Sequence, residues 1–192
     1  NVFPTLAADQ KHYDHSGGYW LGGVWAPTNY AIIRGLAKQG HDAFARKAVH
    51  RYLGEMYKVF EKTGTVWELY APDMVRHGSG SKGLEGAHQA RPDFVGWTGC
   101  GPIAMLIENV LGFEIRGAQN AVTWTVSRTD RHGIKNLRFG YIRASLVCEA
   151  RESADAPLAI QVETSQPFTL TLCRGDNTKT LEITPDTKTI TM

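Results

Sequence analysis

Gly18-Tyr19-Trp20-Leu21-Gly22-Gly23-Val24-Trp25-Ala26-Pro27-Thr28-Asn29-Tyr30 is the stretch on which the reading of this chain turns. It packs tryptophan and tyrosine rings between glycines and then runs into a proline suited to the first turn of a helix. Two shorter blocks of the same texture follow: Trp67-Glu68-Leu69-Tyr70 and Phe94-Val95-Gly96-Trp97-Thr98-Gly99. Rings beside flexible glycine and polar side chains make a wall for a sugar. The apolar face of a pyranose stacks on indole, its hydroxyls bond to Asn, Thr and Glu, and glycine lets the backbone come close.

Outward from the first block the spacing is helical. Pro27 opens a helix on which Ala31, Ile32, Leu36 and Ala37 share a face until Gly40 stops it. Asp42 reads as the cap of a second helix. Along it Phe44, Ala48, Tyr52, Met56 and Phe60 recur every fourth residue, with Ala45, Val49, Leu53 and Tyr57 beside them, until Thr63-Gly64. A third helix is expected from Thr98 or Pro102 through Ile103, Leu106, Ile107 and Val110, ending at Gly112. Between the second and third helices lies an aperiodic stretch, residues 71–93, with Gly78, Gly80, Gly83 and Gly86. A loop of that length in a compact domain is usually functional or disordered. Its run Gly78-Ser-Gly-Ser-Lys-Gly83 lacks the spacing and the strand-then-helix frame of a phosphate loop.

Beyond Gly112 the pattern changes to alternation. Strands are expected at 121–126, 134–139, 141–150, 158–163, 168–173 and 181–183, with turns at 130–133, 154–157, 175–177 and 185–186. Short strands at this spacing suggest an antiparallel sandwich. The fold class is therefore α+β: a helical part over residues 1–112 and a small antiparallel β-sandwich over 113–192.

Composition narrows the function classes. With 192 residues, 42% hydrophobic and 21% charged, the chain has the make-up of an ordinary globular protein. A formal net charge of +2, with Lys and Arg scattered, gives no nucleic-acid or membrane surface. No apolar run approaches the roughly 20 residues of a membrane span. Cys100, Cys148 and Cys173 are an odd, widely spaced set. They read as free, mostly buried thiols, with one bridged pair left open. His12-Tyr13-Asp14-His15 reads as a solvated loop, because two His and one Asp need a further ligand to hold a metal. The other histidines (41, 50, 77, 88 and 132) show no ligand spacing, and neither a metal nor a cofactor is expected.

Glu68 is the candidate catalytic residue. Indole and phenol on either side strip part of a carboxylate's water and suit it to acid–base work. The alternative is a Glu that caps a loop or pairs with an Arg. Asp93, just before Phe94, is a weaker candidate for orienting a neighbour. Trp20 and Trp25 fit either a core or a binding wall, and Asn29, in a first helical turn, is placed to aim its amide into a cleft.

Taken together, the three blocks resemble a family. Residues 19–30 closely resemble the Y-W-R-G-x-[VI]-W-x-P-x-N-Y stretch of inverting glycoside hydrolases. These are the trehalases of family 37 and the family 63 enzymes, which include processing α-glucosidase I and relatives acting on mannosylglycerate or glucosylglycerate. Trp67-Glu68-Leu69-Tyr70 resembles the W-E-x-Y or E-K-Y element, and Phe94–Gly99 the F-x-G-W-T block, in family order. The likeness covers about residues 15–112, and the β part matches only loosely. It implies the last hairpins of an (α/α)6 barrel, hydrolysis of a disaccharide or oligosaccharide with inversion, and Glu68 as general base. Tyr19, Trp20, Trp25, Asn29, Trp67 and Trp97 would line the subsites.

Two departures accompany the resemblance. Leu21 stands where many relatives carry Arg, and Leu cannot grip sugar hydroxyls bidentately. The family's general acid lies upstream of these blocks, and no Asp here matches its motif. The resemblance therefore implies that the rest of the barrel comes from upstream residues or another chain. The alternative is a carbohydrate-binding or scaffolding module without catalysis. A third reading keeps the toroid but changes the chemistry to a phosphorylase or lyase, and no basic cluster near the blocks supports it. The chain starts at Asn1 without methionine, so periplasmic, secreted and cytoplasmic locations all stay open.

Overall fold

The computed structural model describes residues 2–81 and 88–192. It divides into two compact units, Asn1–Val110 and Leu111–Met192.

The first unit is built on three helices: α1 (Ala26–Lys38), α2 (Asp42–Thr63) and α3 (Trp97–Met105). Pro27 lies in the first turn of α1, where its missing N–H costs nothing. At the start of α2 the cap position belongs to His41, which makes no side-chain cap bond. Asp42 is the first helical residue instead, and there its charge favours the positive end of the helix dipole. Gly64 closes α2 at φ 70°, a left-handed geometry that glycine adopts without strain. A π-helical turn, Leu106–Val110, continues α3. The expected third helix is thus present, but in two geometries.

One face of each long helix supplies the core. Ile33 of α1 packs with Ala45, Ala48, Val49, Tyr52 and Val59 of α2, and with Val24, Tyr70 and Met105. Each of these is buried, but the buried face is narrower than the expected stripe. Ala45, Ala48, Val49 and Tyr52 lie inside. Phe44, Tyr57 and Phe60 of that stripe, and Ala31 and Ile32 of the face expected on α1, are exposed, because the helices of this unit pack on only part of each apolar arc. The opposite faces are not covered within the unit: Ile32, Phe44, Tyr57, Phe60, Ile103 and Leu106 are all exposed. Tyr30 and Arg34 of α1 hold Glu108 of the π turn. The Tyr30 hydroxyl donates to Glu108 at 2.9 Å, and Arg34 pairs with it at 2.6 Å. Partial burial and the Glu108 carboxylate push the Tyr30 phenol above its ordinary range.

The second unit holds eight strands: β1 (Phe113–Arg116), β2 (Ala121–Thr125), β3 (His132–Phe139), β4 (Ile142–Cys148), β5 (Ala159–Thr164), β6 (Phe168–Arg174), β7 (Asn177–Ile183) and β8 (Thr189–Thr191). They form two four-stranded sheets, ordered β1-β2-β6-β7 and β3-β4-β5-β8. Inward rings from the two sheets meet, Phe139 edge-on to Phe168 and His132 edge-on to Trp124. That is a sandwich core, with alternating residues such as Val122, Trp124, Leu146, Ile160, Leu170 and Leu172 inside.

The expectation of a wholly antiparallel sandwich needs correction, because β2 and β6 pair in parallel, from Ala121 with Thr169 to Thr125 with Cys173. The physical reason is connectivity. Between β2 and β6 the chain crosses to the other sheet, lays down β3, β4 and β5, and returns in the original direction. Strands β1 and β8, four and three residues long, were too short to announce themselves by alternation. The cysteines are all free: Cys148 is buried, Cys173 is half-buried and Cys100 is exposed. Only Cys148 fits the expectation of a buried thiol, and burial pushes it above the usual thiol range.

Candidate functional site

The three aromatic blocks converge in the first unit because residues 66–71 run as an extended segment hydrogen-bonded along its length. The Tyr70 and Val24 main chains exchange two bonds, at 2.9 and 3.0 Å. Glu68 N–H donates to the Arg91 carbonyl at 2.9 Å, Phe94 N–H to Val66, and Gly78 N–H to Leu69. Blocks one, two and three are therefore laced together through main chain. Gly23 is required where they cross. A Cβ there would overlap the Tyr19 carbonyl oxygen and lie 2.6 Å from Leu69 Cδ1.

On this frame the rings form a stack. Trp25 is fully buried and donates its indole N–H to the Tyr19 carbonyl at 3.2 Å. Trp20 lies flat on it, with centroids 4.5 Å apart and planes within 9°. Trp97 tilts against the same indole at 5.8 Å, and Phe94 supports Trp97 at 5.2 Å. Tyr19 meets Trp25 and Trp20 edge-on. Trp20 is 53% exposed and Trp97 44%. Two indole faces thus stand open to solvent on a rigid aromatic base. Tyr19 adopts φ 58°, a left-handed conformation that residues other than Gly, Asn and Asp rarely take. Such outliers collect at functional sites.

Glu68 is 6% exposed, and it is the one buried carboxylate among the described residues. Its carboxylate oxygen Oε2 accepts the Arg91 main-chain N–H at 3.4 Å, and its main-chain carbonyl accepts the Thr98 hydroxyl at 3.1 Å. It has no ion-pair partner among the described residues, and its carboxylate does not cap a helix.

Two residues expected at the wall are engaged elsewhere. Asn29 is fully buried. Its amide bonds both the N–H and the C=O of Phe3, at 3.1 and 2.9 Å, and the Trp25 carbonyl at 2.9 Å. It ties the N-terminal segment of the unit to α1 rather than opening into a cleft. Trp67 is capped by the His77 imidazole, parallel at 3.8 Å, and its indole N–H goes to the Thr63 hydroxyl at 3.0 Å. His88 stacks on Tyr19 at 6.1 Å. Spacing along the sequence carried no sign of the roles of His77, His88 or Thr98, since each meets its partner only through folding.

The His12–His15 segment holds no metal cluster, and no group of three or more His, Cys, Asp or Glu suited to a metal occurs among the described residues. His15 Nδ1 instead meets Asp73 at 2.6 Å, and the Tyr13 hydroxyl donates to the same carboxylate at 3.1 Å. Partial burial and that carboxylate push the Tyr13 phenol up to about 12. Lys82 and Gly83 of the phosphate-loop-like run, and Gly86, lie outside the described residues. No helix among those residues is long and apolar enough to cross a membrane.

Residues 17–110, the span that contains all three blocks, match the trehalase family model. The helical unit is thus similar to the trehalase family and glycoside-hydrolase-like at that coarse level. Among individual relatives, a periplasmic trehalase of Xanthomonas axonopodis pv. citri is 30% identical over 94 residues, covering 49% of this chain and 16% of that protein. An uncharacterized protein of Borreliella burgdorferi is 24% identical over 152 residues, covering 77% of this chain and 32% of that protein. The chain therefore spans about a third of the length of one relative and about a sixth of the other. No solved structure matches the chain significantly.

Proposed function

We propose that this chain supplies one side of the sugar site of an inverting glycoside hydrolase of trehalase or α-glucosidase type, with Glu68 as the general base. The observation that carries the reading is the burial of Glu68, without a countercharge among the described residues, in the segment that laces the three aromatic blocks together. As base, Glu68 takes a proton from the water that attacks the anomeric carbon. A carboxylic acid on the other face of the sugar protonates the leaving oxygen, at a separation of roughly 6.5–9.5 Å. The ring of the substrate lies against the open indoles of Trp20 and Trp97, with Tyr19 at the rim. Trp25 is the buried support beneath them, and Asn29 and Trp67 hold the frame from behind.

In this reading residues 1–112 are the last hairpins of an (α/α)6 toroid, and residues 113–192 are its accessory β-sandwich. The exposed apolar faces of α1, α2 and α3 support that placement. Soluble monomers rarely leave this many large apolar side chains on their helices open. The remaining helices, from the same polypeptide or another chain, cover those faces and bring the general acid.

The test is hydrolysis of α,α-trehalose and of an α-linked gluco-oligosaccharide by the complete protein, followed by proton NMR in the first minutes. From α,α-trehalose, inversion releases one β-glucose from the attacked ring and one α-glucose as the leaving group, whereas retention releases α-glucose alone. Initial β-anomer therefore supports inversion, and α-anomer without any initial β-anomer removes it. One observation favours a second reading, a sugar-binding module without catalysis. Among the described residues no second buried carboxylate accompanies Glu68 to act as acid. Sugar-dependent quenching of tryptophan fluorescence with no turnover in the complete protein selects that reading.

A further inference from the structure

One side-chain bond links the Glu68 main chain to the first turn of α3, which carries Trp97. The Glu68 main chain is tied on one side by its N–H to Arg91, a main-chain bond. On the other side its carbonyl accepts the Thr98 hydroxyl, at 3.1 Å. Thr98 is 1% exposed and is the second residue of α3, directly after Trp97. The two neighbours point opposite ways. Trp97 presents its ring to solvent and to Trp25, and Thr98 turns inward to Glu68. The other ties on residues 67–70 are main chain to main chain, apart from the Tyr70 hydroxyl on Trp67 N–H, the Arg91 N–H on the Glu68 carboxylate and the Trp67 indole N–H on Thr63, none of which involves α3. The Thr98 hydroxyl is therefore a point at which one substitution can free Glu68 from α3 without disturbing the lacing.

We propose that Thr98 is a positioning residue whose hydroxyl fixes the Glu68 main chain against the first turn of α3. The carboxylate and the Trp97 ring thereby keep one separation. The proposal rests on the reading of Glu68 as the base. Catalysis tolerates little error in such a separation, and a misplacement of about 1 Å can cost roughly 100-fold in rate. Valine at this position keeps the shape of threonine but offers no donor. It leaves the buried carbonyl without that partner.

The experiment compares Thr98→Val, Thr98→Ser and Glu68→Gln in the complete protein. It reads kcat and KM for α,α-trehalose or the best α-glucoside, and sugar binding by tryptophan fluorescence. Thr98→Val is expected to lower kcat about 10- to 100-fold with KM within about threefold, and Thr98→Ser to recover kcat to within about threefold of the parent. If Thr98→Val does not fold, Thr98→Cys carries the test. It keeps the size but is only a weak donor, and its kcat is expected to fall at least about fivefold. Parental kcat in Thr98→Val or Thr98→Cys overturns the proposal. So does Thr98→Ser as impaired as the valine variant, since the effect would then come from packing. An inactive Glu68→Gln beside an unimpaired Thr98→Val leaves the base assignment standing and removes the Thr98 role alone. A fully active Glu68→Gln removes both.

Discussion

The two units of this chain handle their apolar residues in opposite ways. The β unit turns nearly all of its large hydrophobics inward. Among the described residues only Ile115 and Tyr141 stand exposed in it. The helical unit covers one face of each helix and leaves Ile32, Phe44, Tyr57, Phe60, Ile103 and Leu106 on the other, besides the open rings of Trp20 and Trp97. Two sheets facing each other close their own core, because each strand has one inner side. Three helices cannot do the same when their apolar stripes are wide enough for partners on both sides. The teaching of the contrast is that the β unit covers its apolar residues by its own packing, whereas the helical unit leaves one face of its helices uncovered.

The sharpest way to break that contrast is chemical. Glu68→Gln in the complete protein is expected to lower turnover by roughly 100- to 10,000-fold while sugar binding persists, the range for loss of a general base. Near-parental turnover would reduce the helical unit to a binding surface. Next in size are two core tests, one per unit. Trp124 is fully buried, stacks on Phe113 at 4.5 Å and donates to the Leu111 carbonyl at 2.9 Å. Trp124→Ala is expected to cost about 3–5 kcal/mol, read as a lowered melting transition of the β unit, with tryptophan quenching by sugar unchanged. Loss of sugar quenching in a still-folded Trp124→Ala would contradict the division of labour. Gly23→Ala forces a methyl onto the Tyr19 carbonyl and Leu69, and is expected to cost about 1–3 kcal/mol or more. Here both thermal stability and sugar binding fall, because the methyl lands where the blocks cross.

A smaller effect is expected at the open wall. Trp20→Ala should leave the melting temperature within about 1–2 °C of the parent, since the ring is half exposed. Sugar affinity should drop up to about tenfold, measured by titration calorimetry, in line with about 0.5–1.5 kcal/mol for one stacked ring. An unchanged affinity would take Trp20 out of the wall. The smallest effect belongs to Asp73. The hydrogen bond from His15, and then that from Tyr13, hold its carboxyl below the usual range. A lowered carboxyl pKa stabilises the fold above the ordinary carboxylate value of about 4, and that contribution fades as pH falls through the lowered value. Asp73→Asn should therefore narrow the gap in stability between pH 7 and pH 3 slightly, because the pair is largely solvated. A wider gap in acid–base melts would contradict the sign.

Much of the helical unit was legible in the sequence because its signals are local. Pro27 marks the start that the structure gives α1 and Gly64 the end of α2. The every-fourth-residue stripe finds the middle of the buried face, Ala48 and Tyr52, but not its edges, since Phe44 and Phe60 are exposed. Asp42 was misplaced by one residue, since capping depends on a dihedral angle that composition does not reveal. Alternation found six of the strands, yet it cannot name a strand's partner, and the parallel pairing of β2 with β6 stayed hidden. The same limit applied to the site. Trp20, Trp25 and Trp97 were visible as aromatic–glycine blocks, but their stack was not. Asn29 reads as a polar residue in a first helical turn, and only the return of Phe3, 26 positions away in sequence, shows that its amide is already taken.

By itself, then, the sequence determined the helices, the alternating β part, the aromatic blocks and the resemblance they carry, because each depends on spacing within a few residues. Tertiary structure alone decided that Glu68 is buried without an ion pair among the described residues, that Thr98 holds its carbonyl, and that Trp67 stacks on His77. Those outcomes depend on which main-chain donors and acceptors a distant segment brings alongside, and burial obliges each of them to find a partner.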